Sequence, residues 1–360
     1  MSNSPTVAPG NAETVHTTVS HPAKRGGWRS VVRGLKRLAI GLVLGLIVLV
    51  LVGMGYQAVA ADLDKRNFLP PGQMIAVDGH QMHIHCTGQG SPTIILDAGA
   101  YSFSTEWYWV QDQLEKTYRV CSYDRAGNGW SEAVPGPRDG LTLVHELHSL
   151  LQQAKVAGPY ALVGHSLGGV LSPIYASAYP DDVLGIVQVD PAVPLQWPDK
   201  SAYEQYKSQN ESSYLIIASL TRVGLIRFIL SREFAGYGYP ATATAQLTAF
   251  KSTSQAVDTW DAEVRLAQWD LGQQLRAAKL GSRPDIVLWA SHPEITAPED
   301  RQRLEAIWGM LPVTSSNTVT RIVEGANHGS IVGQPDFAAQ IDKAVLDVID
   351  SASTGLPLSK

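Results

Sequence analysis

The pentapeptide Gly164-His165-Ser166-Leu167-Gly168 places a serine between two glycines. An apolar run, residues 160–163, comes directly before it, and a stretch with helical spacing, residues 169–179, follows it. A serine on a sharp turn between a strand and a helix is lifted above the sheet edge, and flanking glycines keep the backbone from clashing. The helix N-terminus supplies amide donors for a developing oxyanion. This pattern predicts a nucleophilic serine at Ser166.

The histidines that could act as the general base for this serine include His328, within the segment Gly-Ala-Asn-His-Gly. Nucleophilic catalysis needs an imidazole that removes the serine proton and later delivers it to the leaving group. His165 is adjacent to the serine but is expected to point away from it if the turn forms. His145 and His148 have i, i+3 spacing, but no third metal ligand with suitable spacing follows, which favours a structural or solvent-exposed role.

The elements that must position these residues follow from hydrophobic patterning. From Met74 onward, short apolar runs alternate with longer amphipathic stretches, which is typical of an α/β domain. The runs predict strands at residues 74–77, 81–86, 93–96, 119–123, 160–163, 185–189, 285–289 and 320–323. Helical spacing predicts helices at residues 107–114, 143–154 and 334–350.

A long segment between the sixth and seventh predicted strands has helical spacing over residues 213–230 and 241–279. An unstructured loop of this length is improbable inside a compact domain. The sequence therefore predicts a helical cap, at about residues 193–284, inserted after strand six.

Four local stretches, HCTGQGSPTIILDAGA, YDRAGNGWSE, PYALVGHSLGG and VDPAVP, resemble the α/β-hydrolase superfamily, and in particular a bacterial branch of membrane-anchored serine hydrolases and esterases. The resemblance covers about residues 74–350. It implies a mostly parallel eight-stranded sheet flanked by helices, with the catalytic histidine after the last strand, which predicts His328 as the general base. It also implies that no metal or organic cofactor is needed. Epoxide hydrolases and dehalogenases of this superfamily use an aspartate nucleophile, so Ser166 argues against both activities.

The resemblance also implies a carboxylate that orients the catalytic histidine, and the sequence offers two candidates for this acid. In most of the superfamily it follows strand seven, but here Pro293 stands where an aspartate is usual and Glu294 comes one residue late. Asp190, at the end of strand six, occupies a position that some members use instead. Asp190 also suits a turn before proline, and Glu294 also suits a solvated loop. We favour Asp190 and keep Glu294 as the alternative.

The resemblance also implies an oxyanion hole. One donor is expected to be the backbone N–H of Leu167, and the second the N–H of Ala100, which follows Gly99 after strand three. Asp124 and Arg125 begin the DRAGNGWS turn, and we expect them to be structural residues that satisfy each other.

The N-terminal region differs from the rest of the chain. Residues 1–37 are predicted to form a disordered tail that ends in a basic stretch, and residues 57–73 a linker. Between them, residues 38–56 are almost wholly apolar and close to the roughly 20 residues that span a bilayer. The basic flank predicts a signal anchor with the domain on the non-cytoplasmic side, or a secreted domain if the chain is cleaved near Ala60. Residues 351–360 are predicted to be a C-terminal tail.

The amino-acid composition restricts the classes of binding partner. A formal net charge of −5 and the lack of a basic patch after residue 56 exclude nucleic acid as a partner. Cys86 and Cys121 are the only cysteines; they are either two buried small residues or, in an exported domain, a disulfide between neighbouring strands. Nothing in the sequence indicates an oligomeric state.

The leading hypothesis is a serine hydrolase that acts on a small-molecule carboxylic ester, with an apolar group indicated by aromatic residues in the cap. Thioesterase, amidase, C–C hydrolase and acyltransferase chemistry remain alternatives, because the cap sets the substrate. A non-catalytic, membrane-tethered binding module on the same fold is a further alternative, as is a protein whose cap docks on lipid.

Overall fold

A long helix, α1 (Gly27–Asn67), contains the apolar run near the N-terminus. The structure is a computed structural model that describes Met1, Ser4 and residues 27–136, 138–194, 199–265 and 267–359. Of the continuous helices in these ranges, α1 alone is long and apolar enough to cross a membrane. The chain divides into two units, Met1–Val50 and Leu51–Lys360. The disorder predicted for residues 1–26 lies outside the described residues, apart from Met1 and Ser4.

Two predicted boundaries in this region are wrong, because α1 extends beyond the apolar run at both ends. Residues 27–37 are helical rather than disordered, and residues 57–67 are helical rather than a linker. Good helix formers and the absence of proline allow the extension. Within the second unit, Gln57 also donates a hydrogen bond of 2.7 Å to the carbonyl of Ser252, and Asp64 pairs with Arg227 at 2.7 Å.

The second unit contains one eight-stranded sheet with the order β1-β2-β4-β3-β5-β6-β7-β8. The pairs β1–β2 and β2–β4 are antiparallel, and all the others are parallel. The predicted strands and their order of appearance are confirmed. The strands are β1 (Gln73–Val77), β2 (His80–Thr87), β3 (Thr93–Asp97), β4 (Arg119–Tyr123), β5 (Tyr160–His165), β6 (Val183–Val189), β7 (Asp285–Ala290) and β8 (Thr318–Val323).

Helices cover both faces of the sheet, as an apolar parallel sheet requires. One face packs against α3 (Gly140–Gln153) and α4 (Leu167–Ala178), and four leucines of α3 are buried there: Leu143, Leu147, Leu150 and Leu151. The other face packs against α2 (Tyr108–Leu114) and the C-terminal helix (Pro335–Thr354). The predicted tail is therefore partly wrong, since residues 351–354 are helical and the N–H of Leu358 donates to Asn317 Oδ1 at 2.9 Å.

The cap lies between β6 and β7, as predicted. In the described part of this segment it comprises α5 (Lys200–Arg222), α6 (Leu225–Ala235), α7 (Ala241–Lys251), α8 (Ser254–Trp260), a π-helical turn (Asp261–Arg265) and α9 (Gln268–Ala277). After β7, the chain adds α10 (Pro298–Trp308), and after β8 it adds α11 (Ser330–Gly333) before the C-terminal helix, α12.

The helix boundaries predicted inside the cap are wrong in both halves. Residues 213–230 do not form one helix, because Gly224, with φ of 78°, separates α5 from α6, and the two axes differ by 91°. Such a φ is readily available only to glycine. Residues 241–279 divide because Thr253 caps a new helix, α8, by accepting the N–H of Ala256.

Cys86 on β2 and Cys121 on β4 form a disulfide between directly opposed residues of two antiparallel strands. Because the pair closes a loop with a sequence separation of 35 residues, we expect Cys86→Ser with Cys121→Ser to lower the free energy of unfolding by about 2–4 kcal/mol. Denaturant unfolding of the oxidised chain and the double variant measures this difference. Reductant should destabilise the parent chain and leave the variant unchanged; equal stability of all samples would contradict the expectation.

Candidate active site

Ser166 stands at the junction of β5 and α4 in a strained conformation, with φ of 52° and ψ of −111°. A positive φ at a non-glycine residue costs about 1–3 kcal/mol and persists only where the surroundings enforce it. Here the flanking glycines permit the turn: a Cβ on Gly164 would lie 2.1 Å from the carbonyl oxygen of Gly168, and one on Gly168 would lie 2.2 Å from that of Asp97. The N–H of Ser166 donates to Val189 at 3.0 Å. Together these contacts form the sharp strand-to-helix turn that is expected of a nucleophile elbow.

His328 and Asp190 meet at the same edge of the sheet. His328 lies in the loop after β8, and its Nδ1 is 2.6 Å from Oδ2 of Asp190, which directly follows β6. The other carboxylate oxygen of Asp190 accepts the N–H of Ala290 at 3.0 Å. The structure therefore places the favoured acid against the predicted base, in the geometry that orients an imidazole and stabilises its protonated form.

The alternative acid, Glu294, lies elsewhere in the same loop region. Its Oε1 is 2.9 Å from Nδ1 of His292, and Nε2 of His292 is 3.4 Å from Asp190 Oδ2. His292 therefore stands between the two carboxylates. Burial alone would raise the pKa of Asp190, but hydrogen bonds from His292 and His328 outweigh it and hold that pKa well below its usual range. Asp190 is therefore ionised at neutral pH.

The sequence predicts that His165 points away from Ser166, yet His165 lines the same cavity as Ser166 and its ring contacts the loop of His328. Its ring centroid is 4.7 Å from that of His328, and its Nε2 is 3.0 Å from the carbonyl oxygen of His328. On the other side, its Nδ1 is 3.3 Å from the buried carboxylate of Glu106. Burial would raise the pKa of Glu106, but the charge and hydrogen bond of His165 lower it to about 2. His165 and Glu106 thus support the loop that carries the imidazole of His328.

The two predicted oxyanion donors flank the serine. Leu167 is the first residue of α4, where backbone N–H groups have no acceptor within the helix. Ala100 lines the same cavities as Ser166. The neighbouring Gly99 is held from both sides, because its N–H donates to Glu106 Oε1 at 2.7 Å and its carbonyl accepts from Arg125 Nη2 at 2.8 Å. The loop after β3 is therefore fixed in place before a substrate binds.

Asp124 and Arg125 are buried structural residues, but the expectation that they pair with each other is wrong. Asp124 accepts the backbone N–H groups of Ser104 and Trp130 and lies 3.0 Å from His83 Nδ1. Arg125 instead donates to Asp97 Oδ1 at 2.6 Å and to Glu263 Oε1 at 3.0 Å. Because Glu263 belongs to the π-helical turn, this guanidinium joins the cap to the loop that carries Ala100.

Two cavities meet at the candidate catalytic residues, and each has a volume of about 260 Å³. Ala100, Ser166 and His328 line both. The first, which we call the polar chamber, is also lined by Glu106, Glu233, Tyr237, Tyr239 and Lys251. The second, which we call the apolar chamber, is also lined by Val170, Val193, Pro194, Trp260, Val264 and Leu271. A substrate bound at Ser166 can therefore extend in two chemically different directions.

The remaining candidate histidines have structural partners. Nδ1 of His145 lies 3.2 Å from the hydroxyl of Tyr179. Nδ1 of His148 lies 3.1 Å from Asp182 Oδ2, and its ring stacks on that of Tyr179 at 3.8 Å. These contacts agree with the structural role expected for the pair.

Residues 84–341 match the model of the Alpha/beta hydrolase family, and the chain belongs to that family. Its fold is similar to an esterase from Thermogutta terrifontis, solved with malate bound, with a TM-score of 0.54, 19% identity and coverage of 78% of this chain and 98% of the esterase. It is also similar to an enol-lactonase from Burkholderia xenovorans, with a TM-score of 0.55, 20% identity and coverage of 77% and 100%. The family assignment points to a hydrolase.

Curated relatives match over shorter segments. An uncharacterized protein of Bacillus subtilis is 35% identical over 118 residues, which cover 32% of this chain and 47% of the relative. A second Bacillus subtilis protein is 27% identical over 167 residues, which cover 45% of this chain and 50% of the relative. The chain thus spans about half the length of these two relatives.

Proposed function

We propose that this protein is a serine hydrolase that cleaves a carboxylic ester through an acyl-enzyme on Ser166. The observation that carries the proposal is the elbow serine, which opens on the same two chambers as His328, while His328 is held by an ionised Asp190. A non-catalytic binding module would have no physical reason to maintain both a strained serine and an oriented imidazole.

In the proposed reaction, Ser166 Oγ attacks the ester carbonyl while His328 removes its proton. Asp190 stabilises the imidazolium that forms. The tetrahedral intermediate then collapses, the bond to the alcohol oxygen breaks, and His328 protonates the departing alcohol. Water, deprotonated by His328, then attacks the acyl-enzyme. The second tetrahedral intermediate collapses, the bond from the acyl carbon to Ser166 Oγ breaks, and His328 returns the proton to Ser166 as the acid departs. Each step uses a group of this chain, so the proposed reaction requires no metal or organic cofactor.

The negative charge that develops on the carbonyl oxygen needs donors that are already in position. We assign this role to the N–H groups of Leu167 and Ala100. The support is that Leu167 begins α4, where the helix dipole favours an anion, and that Gly99 is fastened by Glu106 and Arg125. Donors that need no reorganisation stabilise the transition state most effectively.

The apolar chamber supports an apolar acyl or aromatic group as one part of the substrate. Its aliphatic residues and Trp260 would be removed from water by such a group, and burial of apolar area contributes about 25 cal/mol per Å². Single acyl chains and aryl groups are of a size that 260 Å³ can accept.

For location, we propose a single-pass protein whose hydrolase unit lies on the non-cytoplasmic side of the membrane. The cations that precede the apolar run of α1 support this orientation. The Cys86–Cys121 disulfide supports it independently, because disulfides persist in oxidising compartments.

The test is labelling of the full chain, in detergent, with a fluorescent fluorophosphonate, beside hydrolysis of p-nitrophenyl esters. We expect the parent chain to label and Ser166→Ala not to, with turnover of the variant reduced about 10⁶-fold, to background. Ser219→Ala, on an exposed face of α5, is the matched control and should label normally. A folded parent chain that neither labels nor turns over any ester would refute the proposal and favour a binding module.

A further inference from the structure

Lys251 is a cation that lines the same cavity as the candidate nucleophile. It is the last residue of α7 and lines the polar chamber together with Ser166 and His328. Its Nζ lies 4.8 Å from the ring centroid of Phe234 and 5.4 Å from that of Tyr101. Throughout the described part of the chain, this ammonium forms neither an ion pair nor a hydrogen bond with another residue. Its three N–H donors are therefore available to a ligand.

The backbone of Lys251 is fixed relative to the loop after β3, which carries Ala100 and Tyr101. The hydroxyl of Tyr101 donates a hydrogen bond to the backbone carbonyl of Lys251. Tyr101 directly follows Ala100, one of the proposed oxyanion donors. The end of α7 is thus fastened to the loop against which an ester carbonyl would bind, so the backbone of Lys251 keeps a constant separation from that loop.

Two carboxylates also line the polar chamber, and neither neutralises Lys251 by direct contact. Glu106 is buried and already accepts the N–H of Gly99 at 2.7 Å, with His165 at 3.3 Å. Glu233 is exposed and accepts a hydrogen bond of 3.2 Å from the hydroxyl of Tyr237. Burial lowers the pKa of Lys251, while the charges of Glu106 and Glu233 act in the opposite direction.

We propose that Lys251 binds a carboxylate of the substrate, so that the preferred esters carry a carboxylate at one end and an apolar group at the other. A partly buried ammonium without an acceptor is costly, and a ligand carboxylate would supply the missing charge-assisted hydrogen bonds. The two chambers that meet at Ser166 accommodate the two ends: the carboxylate in the polar chamber and the apolar group against Trp260. This inference rests on the proposed function, because it specifies the substrate of the same site.

The first test compares kcat/KM for pairs of esters that differ in charge. One pair carries the charge on the acyl side (mono-p-nitrophenyl glutarate and p-nitrophenyl pentanoate), and the other on the alcohol side (4-butyryloxybenzoate and its amide). We expect the parent chain to prefer the charged member of at least one pair. In Lys251→Met, the loss on that charged ester should exceed the loss on its neutral partner by about tenfold or more.

The chain offers a matched control and an opposite variant. Lys207 also belongs to the cap and also lies over a tyrosine ring, at 5.1 Å from the centroid of Tyr203, but it lines neither chamber. Lys207→Met should leave both members of each pair unaffected. Glu233→Gln removes a negative charge from the polar chamber and should increase the preference for the charged ester.

A binding measurement separates this inference from the proposed reaction. Hexanoate should raise the melting temperature of the Ser166→Ala chain more than hexanamide does, and Lys251→Met should abolish the difference. One outcome would overturn the role of Lys251 and leave the proposed esterase activity intact. In that outcome the parent chain turns over esters without a charge preference, Ser166→Ala abolishes turnover, and hexanoate and hexanamide raise the melting temperature equally. Uniform loss on all esters in Lys251→Met would also overturn it. Absent turnover with selective hexanoate binding would refute only the reaction.

Discussion

Replacement of Asp190 by asparagine is expected to lower kcat about 10⁴-fold at neutral pH, because an amide in this place no longer stabilises the imidazolium and favours the wrong tautomer of the base. The expectation rests on the distance of 2.6 Å between Asp190 Oδ2 and His328 Nδ1. Ester hydrolysis under saturating substrate measures the effect, and the fold can be checked by thermal unfolding.

Glu294→Gln is the matched comparison, because Glu294 is the other carboxylate that the sequence offers for this role. Its contact is with His292, at 2.9 Å, so its replacement should change kcat by no more than a few-fold. If Glu294→Gln caused the larger loss, the acid would follow β7, and the arrangement around Asp190 would be structural instead.

Replacement of Arg125 by methionine is expected to lower the free energy of unfolding by about 3–5 kcal/mol, which is the usual cost of removing one partner of a buried ion pair. Arg125 is 3% exposed and joins Asp97 to Glu263, which is 0% exposed. The variant leaves Asp97 without its cation and leaves Glu263 with only the more distant Arg138, at 3.9 Å. Chemical denaturation of the full chain in detergent, followed by tryptophan fluorescence, measures the loss.

Two further variants define the origin of this effect. Lys116→Met removes an exposed cation that pairs with Asp112 at 3.4 Å and should change stability by less than about 0.5 kcal/mol. The double variant Arg125→Met with Glu263→Gln should be more stable than the sum of the single effects predicts, because the pair is coupled. Strict additivity would show that Arg125 and Glu263 do not stabilise each other.

The sequence was sufficient to predict the strands and the elbow, because both depend on local patterns. Short apolar runs bounded by turn residues define buried strands, and the two glycines around Ser166 have a steric requirement that can be stated without a structure. The position of the cap followed from the length of the segment between two strands. These features need no knowledge of which distant residues meet.

The parts that sequence reasoning missed depend on contacts between distant segments. Arg125 and Glu263 are 138 positions apart, and nothing in the DRAGNGWS turn indicates that its arginine pairs with the cap rather than with Asp124. Glu106 and Lys251 likewise become recognisable only when the cap covers the loop after β3. The buried role of His165 was easier to predict, since a polar residue next to Ser166 at the end of a buried strand must contact other polar groups.

The link between Arg125 and Glu263 limits how this enzyme could be re-engineered or could have diverged. Exchange of cap segments between members of a family is an obvious route to a new substrate range, because the scaffold and the nucleophile would be kept. In this chain, however, a foreign cap would remove a carboxylate that holds Arg125, and Arg125 in turn holds the carbonyls of Ala98 and Gly99. A chimera would therefore need a carboxylate at the position of Glu263. Without one, the loop after β3 would be disturbed, because Arg125 would lose its partner in the cap. The cap of this protein therefore cannot be exchanged independently of the loop after β3.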